Sequence, residues 1–571
     1  MNNITSYLEN AKKQFDVVGI IDLSFWDTNA YASSQKKLSD MIAEHRKDYY
    51  APNERVIFVH TKGDIYVDNS DIGLIFKNIQ NEINEHDISN SFVIVVSNNP
   101  TIMSEFEYIK KISTDPVPIT VIECDNNNEF VKSNIKHHPK SNKEIYTYGS
   151  ANPLKVNLNE ISKKERFLLE ESKTFCMYPW IHMHAWPTGE AFPCCMSEHD
   201  GNLGNTKEQT LKEIWNGEEM KALRNNMLND RPSSPCVRCY EQEKSGFFSG
   251  RKSANKHHGH HIQKVFETND DGSYDKFAMT YWDIRFSNLC NLKCRSCGHI
   301  FSSNWYSDQA KLAGGDWKKN NKALNFAGRW ETDVWEQLVE HLDYVEQIYF
   351  AGGEPLLMEE HYRILDELER RGRFDVRLIY NTNFTETSLK GRSVFDYWKK
   401  FDSVAIGASL DASGGRAEYI RKGTKWDRVL KNREEMLEVC PEVDFYISPT
   451  LSIMNAWHLP DFHRDWVERG FINPQDLNVN ILQDPVHYRI DIAPDAYKQQ
   501  LKEKYEQHLE WLKPLDKLNR ASVGFESAIS FMMSTDNQQL IPEFWTRTKQ
   551  LDEIRKENIL DIIPELKAIA V

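Results

Sequence analysis

The chain has 571 residues, of which 40% are hydrophobic and 27% charged, with a formal net charge of −15. That length exceeds what a single hydrophobic core supports, so several domains are expected. The acidic balance argues against a non-specific nucleic-acid binder, and no apolar run approaches the ~20 residues of a membrane helix.

The N-terminal stretch Met1-Asn2-Asn3-Ile4-Thr5-Ser6-Tyr7-Leu8-Glu9 has no basic region followed by an apolar one, so a secretory signal is not expected. The apolar runs 17–23, 55–60, 92–97 and 119–124 alternate with polar helical segments such as 74–83. Continuous Val/Ile runs of this kind predict an α/β domain over 1–150, with a parallel sheet covered on both faces. No Gly-x-Gly-x-x-Gly or Gly-Lys-Ser/Thr loop occurs there, so a nucleotide site is not expected. Asp22, Trp26 and Asp27 stand where the first strand ends, a place where open α/β sheets bind ligands; a plain loop is the alternative. Cys124 closes an apolar run and reads as a buried structural thiol, and the polar stretches 125–129 and 139–143 read as loop or linker.

Most of the ten cysteines fall into short-range groups, which in a large non-secreted chain favours metal or cluster ligation over disulfides and a reducing cytoplasm. The first group, in 170–260, holds Cys176, Cys194, Cys195, Cys236 and Cys239. Its context is Gly189-Glu190-Ala191-Phe192-Pro193-Cys194, then Trp215-Asn216-Gly217, then Pro235-Cys236-Val237-Arg238-Cys239. A Cys-x2-Cys turn lets two thiolates grip one metal or adjacent irons. The pattern resembles the first half of a SPASM/twitch auxiliary-cluster domain. That resemblance implies a 4Fe–4S cluster on Cys176, Cys194, Cys236 and Cys239, with Cys195 spare. The choice between Cys194 and Cys195, and between a cluster and a structural zinc, stays open here. The basic, His-rich run 250–261 reads as a solvated linker or a strip facing an acidic substrate, with metal binding as the lesser reading.

The second group follows a strand-like run at 281–286. It is Cys290-Asn291-Leu292-Lys293-Cys294-Arg295-Ser296-Cys297, three thiols spaced Cys-x3-Cys-x2-Cys on one loop. Three thiolates hold three irons of a cubane cluster and leave the fourth open to a small ligand. After the next strand-like run, 347–350, comes Ala351-Gly352-Gly353-Glu354-Pro355. Two glycines let a loop approach a ligand closely, and a carboxylate suits an ammonium group. A zinc knuckle and an ordinary strand-to-helix turn are the bland alternatives.

Further strand-like runs at 376–380, 404–408, 445–449 and 477–482 alternate with helical patterns at 333–344, 360–371 and 427–439. Polar residues stand at the strand ends: Asn381-Thr382-Asn383, Ser409-Leu410-Asp411 with Arg421 downstream, and Thr450, Ser452 and Asn455. Chemistry in such βα units sits at the C-terminal strand ends. Taken together, these motifs resemble the radical S-adenosylmethionine (SAM) superfamily, in the group with a twitch-type domain placed before the barrel.

The resemblance implies a partial (β/α)6 TIM-like barrel over 275–490, after the small Cys-rich domain at 170–260. A helical region, 491–571, follows. It implies a 4Fe–4S cluster on Cys290, Cys294 and Cys297, and a SAM pocket built from Gly352, Gly353, Glu354, Pro355, Asn383, Ser409, Asp411 and Arg421. Arg421 is expected to fork onto the SAM carboxylate. Ser296 departs from the bulky apolar residue many relatives carry there. The implied reaction is reductive cleavage of SAM to a 5′-deoxyadenosyl radical that abstracts hydrogen from a substrate, with no catalytic side chain assigned. An electron donor of flavodoxin or ferredoxin type and a peptide or protein substrate are the expected partners. A sugar or nucleotide is the second choice, and a non-catalytic iron–sulfur electron carrier or sensor is the alternative class. At the C-terminus, Phe525, Phe531, Met532, Met533 and Trp545 read as core in preference to a cap over the barrel mouth.

Overall fold

The computed structural model describes residues 161–244, 249–328, 333–516 and 519–569, preceded by four strands of an N-terminal sheet. The chain divides into two compact units, Met1–Lys143 and Glu144–Val571. In the first unit β1 (Asp16–Asp22), β2 (Arg55–Thr61), β3 (Ser91–Ser97) and β4 (Ile119–Glu123) pair in parallel in chain order. Each is the Val/Ile-rich run expected from the sequence. Trp26, Asp27, Cys124, the helix expected at 74–83 and the side chain of Asp22 lie outside the described residues.

The second unit is mixed α/β around a mostly parallel sheet of eight strands. Three are short: β5 (His184–Ala185), β6 (Glu190–Phe192) and β7 (Gly204–Asn205). Then come β8 (Tyr281–Ile284), β9 (Gln347–Phe350) and β10 (Arg377–Thr382). A small hairpin of β11 (Ser388–Leu389) and β12 (Arg392–Ser393) stands apart, and β13 (Val404–Ala408) and β14 (Asp444–Ile447) return to the sheet. The order across the sheet is β14-β13-β10-β9-β8-β5-β6-β7. From β8 to β14 every neighbour is parallel, and each connection carries a helix, such as Glu359–Arg370 or Trp426–Val439.

The sixth strand, expected at 477–482, is reduced to a parallel bridge between Ile447 and Leu477 and a separate short pair, β15 (Thr450–Leu451) with β16 (Asn480–Ile481). Pro449 accounts for the break. It has no N–H for a ladder, and only its carbonyl takes part, accepting from Asn480 N at 3.0 Å. The helix expected over 333–344 also shortens, to Val334–Leu338 followed by a 3-10 turn, Val339–His341.

Strand β5 pairs in parallel with β8, His184 opposite Asp283 and Ala185 opposite Ile284. The hairpin that carries the first cysteine group is therefore the edge of the same sheet whose next strand feeds the Cys290 loop. A single apolar core runs from Leu168 to Ile569 beneath both.

The linker reading of 250–261 is overturned. Gly250–His258 is an α-helix, capped by the Ser249 hydroxyl, and it continues as a 3-10 helix, Gly259–Glu267. Arg251 and Asn255 are buried in it because they serve buried backbone groups. Arg251 Nη1 donates to the carbonyls of Ser172 and Phe175 at 3.0 and 2.8 Å, and Asn255 Oδ1 accepts from Met177 N at 3.0 Å. The run thus clamps the segment carrying Cys176.

At the C-terminus, Asp495–Leu512, Arg520–Ser534 and Ile541–Arg555 are helices. Phe525, Met532 and Trp545 are buried core, Phe531 is half-buried under Arg489, and Met533 is exposed. No described helix is long and apolar enough to cross a membrane.

Candidate functional site

Strand β8 ends shortly before the three-cysteine loop, and many polar groups of that loop are taken. Cys290 N donates to Ser303 Oγ at 3.2 Å, Trp305 Nε1 donates to Cys294 O at 2.7 Å, and Ser302 Oγ donates to Leu292 O at 2.5 Å. Lys293 N and Arg295 N donate to Lys422 O and Ile420 O, both at 2.9 Å, so the loop runs against the segment leading into Arg421. From the other side Arg555 Nη2 donates to Lys293 O at 2.8 Å, while Arg295 inserts between Tyr419, Asp552 and Glu557. The thiols of Cys290, Cys294 and Cys297 face one cavity.

That cavity opens at the C-terminal ends of β8, β9, β10 and β13. Besides the three cysteines it is lined by Gly352, Gly353, Glu354, Asn383, Ser409 and Arg421, with Arg285, Ser296, Phe301, Asn381 and Thr450 among the rest. The glycine pair is sterically required. Both residues have positive φ, and a Cβ on Gly353 would lie 2.4 Å from Leu289 O, one on Gly352 2.5 Å from Arg285 Cδ. The turn is thereby seated on the start of the cysteine loop, and Glu354 N donates to Leu289 O at 2.7 Å.

The expected ligand residues divide between the cavity wall and positions behind it. Pro355 is buried at the start of a 3-10 turn, Pro355–Leu357, and does not line the cavity. Asp411 is 1% exposed and lies off the cavity, accepting from Arg421 Nε and Nη2 at 2.8 and 2.9 Å. One edge of the Arg421 fork is therefore filled by Asp411, leaving Nη1, which lies 3.8 Å from Cys294 Sγ. Asn383 lines the cavity, with Nδ2 donating to Asn291 Oδ1 at 2.9 Å and Oδ1 accepting from Thr385 N and Oγ1. Ser452 and Asn455 bond to each other in a buried turn, where Asn455 also holds Asp411 O. The C-terminal aromatic and methionine residues do not line the cavity.

Burial pushes up all three thiols, Cys297 to about 12, while Arg421 partly offsets the rise at Cys294. Thiols in this state ligate by losing protons to a metal. Among the described lining residues there is no fourth thiol and no imidazole. No three cysteine sulfurs among the described residues lie within 4.8 Å of one another.

Burial also raises Glu354 from 4.5 to about 7, against the hydrogen bonds it accepts from Thr382 Oγ1, Asn383 N and Leu356 N. A carboxylate raised in this way favours the folded, ligand-free protein below pH 4.5 and loses that contribution as pH rises through about 7. Binding of a cation at this turn is expected to run the other way, tightening as pH rises through about 7. Glu354→Gln should flatten that profile in equilibrium binding of an ammonium ligand; an unchanged slope assigns the titration elsewhere.

In the first cysteine group, the Cys194 thiol lies close to those of Cys176, Cys236 and Cys239, and burial pushes all four up. Cys195 is exposed, and its thiol lies near Asp283 and Arg285 as well as Cys239. Burial opposes the charge on Asp283, but Arg285 and His184 hold its carboxyl well below the usual range, with Arg285 Nε at 2.9 Å and His184 Nδ1 at 3.0 Å. Arg285 also lines the cavity, so it spans the seam between the two cysteine groups.

Arg285, Phe301 and Ser302 are the lining residues that the motifs did not single out. Phe301 is 37% exposed, and its ring packs edge-on against Trp186 from the hairpin at 5.2 Å. The one available signal was position, a charged residue at a strand end and an aromatic just past the third cysteine.

Residues 176–240 match the SPASM family, described as an iron-sulfur cluster-binding domain. Among solved structures the chain is similar to a hexahistidine-tagged anSMEcpe with bound AdoMet at 18% identity and a TM-score of 0.30, over 41% of this chain and 58% of that one. Native anSMEcpe with bound AdoMet and Cp18Cys peptide gives 17% identity and a TM-score of 0.29, over 41% and 60%. The chain thus spans about three-fifths of the length of those structures. No curated protein matches it.

Proposed function

We propose that this chain is a radical SAM enzyme, with a SAM-binding 4Fe–4S cluster on Cys290, Cys294 and Cys297 and an auxiliary one on Cys176, Cys194, Cys236 and Cys239. One observation carries the reading: three thiols, a Gly-Gly-Glu turn, Asn383, Ser409 and Arg421 converge from the ends of β8, β9, β10 and β13 on one cavity. A simple electron carrier has no use for that arrangement. When bound, the cluster and SAM supply reductive cleavage of the sulfonium and a 5′-deoxyadenosyl radical that takes hydrogen from a substrate.

The protein's part is placement. The Gly352–Gly353 turn presents backbone acceptors and Glu354 to an ammonium group. Asp411 fixes Arg421 so that Nη1 faces the thiols and a ligand carboxylate. Cys194 is preferred to Cys195 as auxiliary ligand, since its thiol lies among the other three. The SPASM-type match and the seam at Arg285 favour a peptide or protein substrate admitted between the two cysteine groups. A one-electron donor of flavodoxin or ferredoxin type in a reducing cytoplasm completes the proposal.

Anaerobically reconstituted protein is expected to bind about eight irons per chain and, once reduced, to release 5′-deoxyadenosine from SAM. About four irons with one zinc removes the auxiliary cluster from the reading. Intact clusters without 5′-deoxyadenosine replace the enzyme with an electron carrier.

A further inference from the structure

We propose that His260, His261 and Glu346 form a site for one divalent transition-metal ion of the zinc class, separate from both cysteine groups. Their ligand atoms lie within 4.8 Å of one another, the one such group of three or more among the described residues. His260 Nε2 is 2.7 Å from Glu346 Oε2, and His261 Nε2 is 3.0 Å from Oε1. The first of these is a hydrogen bond. The second is a close polar contact at a half-buried ring. One carboxylate thus draws two imidazole nitrogens, with ring centroids only 4.1 Å apart.

As a plain ion pair the arrangement is poor, because two protonated rings this close repel and a single carboxylate balances one of them. As a coordination set it is coherent. Two neutral imidazoles and a carboxylate suit zinc-class ions, and three protein ligands leave a fourth position for water.

The ligands come from separate elements. His260 and His261 lie on the 3-10 helix Gly259–Glu267, which leads from the first cysteine group toward β8. Glu346 immediately precedes β9, its backbone held by Thr280 O at 2.9 Å. An ion here clasps the connecting segment to the sheet beside β8, the strand that feeds the cysteine loop. The site is half-buried, open enough for exchange with solvent.

The test uses the full cluster-loaded chain, dialysed free of other metals and titrated with zinc by calorimetry while iron content is followed. One zinc per chain is expected with iron unchanged, and zinc should raise the melting temperature of the wild type. His261→Ala and Glu346→Gln should each weaken zinc binding at least about tenfold and abolish the thermal shift, with zinc-free melting close to wild type. His257→Ala, in the same basic run, should bind as wild type. The proposal is overturned by no zinc uptake, by zinc that displaces iron, or by His257→Ala losing as much affinity as His261→Ala. The last outcome is diffuse chelation by the histidine-rich run.

Discussion

Cys294→Ala is expected to lower bound iron from about eight to about four per chain and to reduce 5′-deoxyadenosine release to background, while the protein stays folded. Cys294 sits at the centre of the site. Its sulfur is the one nearest Arg421, and its carbonyl is held by Trp305 Nε1. The side chain is only half-buried, so its loss opens no large cavity, and the backbone bonds that hold the loop do not involve the thiol. Cys176→Ala is the informative partner. It should also leave about four irons, yet SAM cleavage should persist, because the three-thiol loop is untouched. Iron analysis, electron paramagnetic resonance of the reduced protein and product chromatography on both variants separate the two sites. A Cys294→Ala protein that keeps about eight irons and still cleaves SAM removes the assignment of the loop.

Asp552→Ala is expected to destabilise the second unit by about 3–5 kcal/mol, the range found when one partner of a buried ion pair is removed. Asp552 is 7% exposed and accepts from three directions: Arg295 Nη2, Tyr419 Oη at 2.8 Å and Ile559 N at 2.9 Å. Arg295 is 2% exposed, stacks on Tyr419 at 3.7 Å and donates from Nε to Tyr419 O at 3.3 Å, so truncating Asp552 leaves a buried guanidinium with Glu557 as its one remaining carboxylate partner among the described residues. Because Arg295 lies between Cys294 and Ser296, the loosened anchor should also slow cluster incorporation. Asp552→Asn keeps an acceptor oxygen and should cost less. Denaturant unfolding of the two variants against wild type measures the effect. A loss below about 1 kcal/mol puts the pair among ordinary surface ion pairs and ends its role as the loop's anchor.

The two loops that line the cavity with cysteine and glycine motifs were readable directly from residue order. Cys290, Cys294 and Cys297 occupy one turn, and Gly352, Gly353 and Glu354 another, so local spacing alone brings each set together. The strands expected at 347–350 and 404–408 coincide with β9 and β13, since continuous Ile, Val, Tyr and Phe runs have few other uses. Residue order also separated two cysteine groups and placed polar side chains at strand ends.

What those side chains do depended on partners far away in the chain. Asp411 and Arg421 were both readable as ligand contacts, but folding turns one toward the other and leaves only part of the guanidinium for a ligand. Arg251 and Asn255 sit in a run that reads as linker, because charge and amide content look solvated until buried carbonyls claim them. Arg295 reaches Asp552, 257 positions on, and His260 reaches Glu346, 86 positions on. The pairing of β5 with β8, which merges two apparent modules into one sheet, links two strands of two and four residues. Short-range patterns reveal loops and strands because neighbouring residues share one backbone geometry. Which polar groups meet is set by desolvation and packing between distant segments, and no local pattern encodes that.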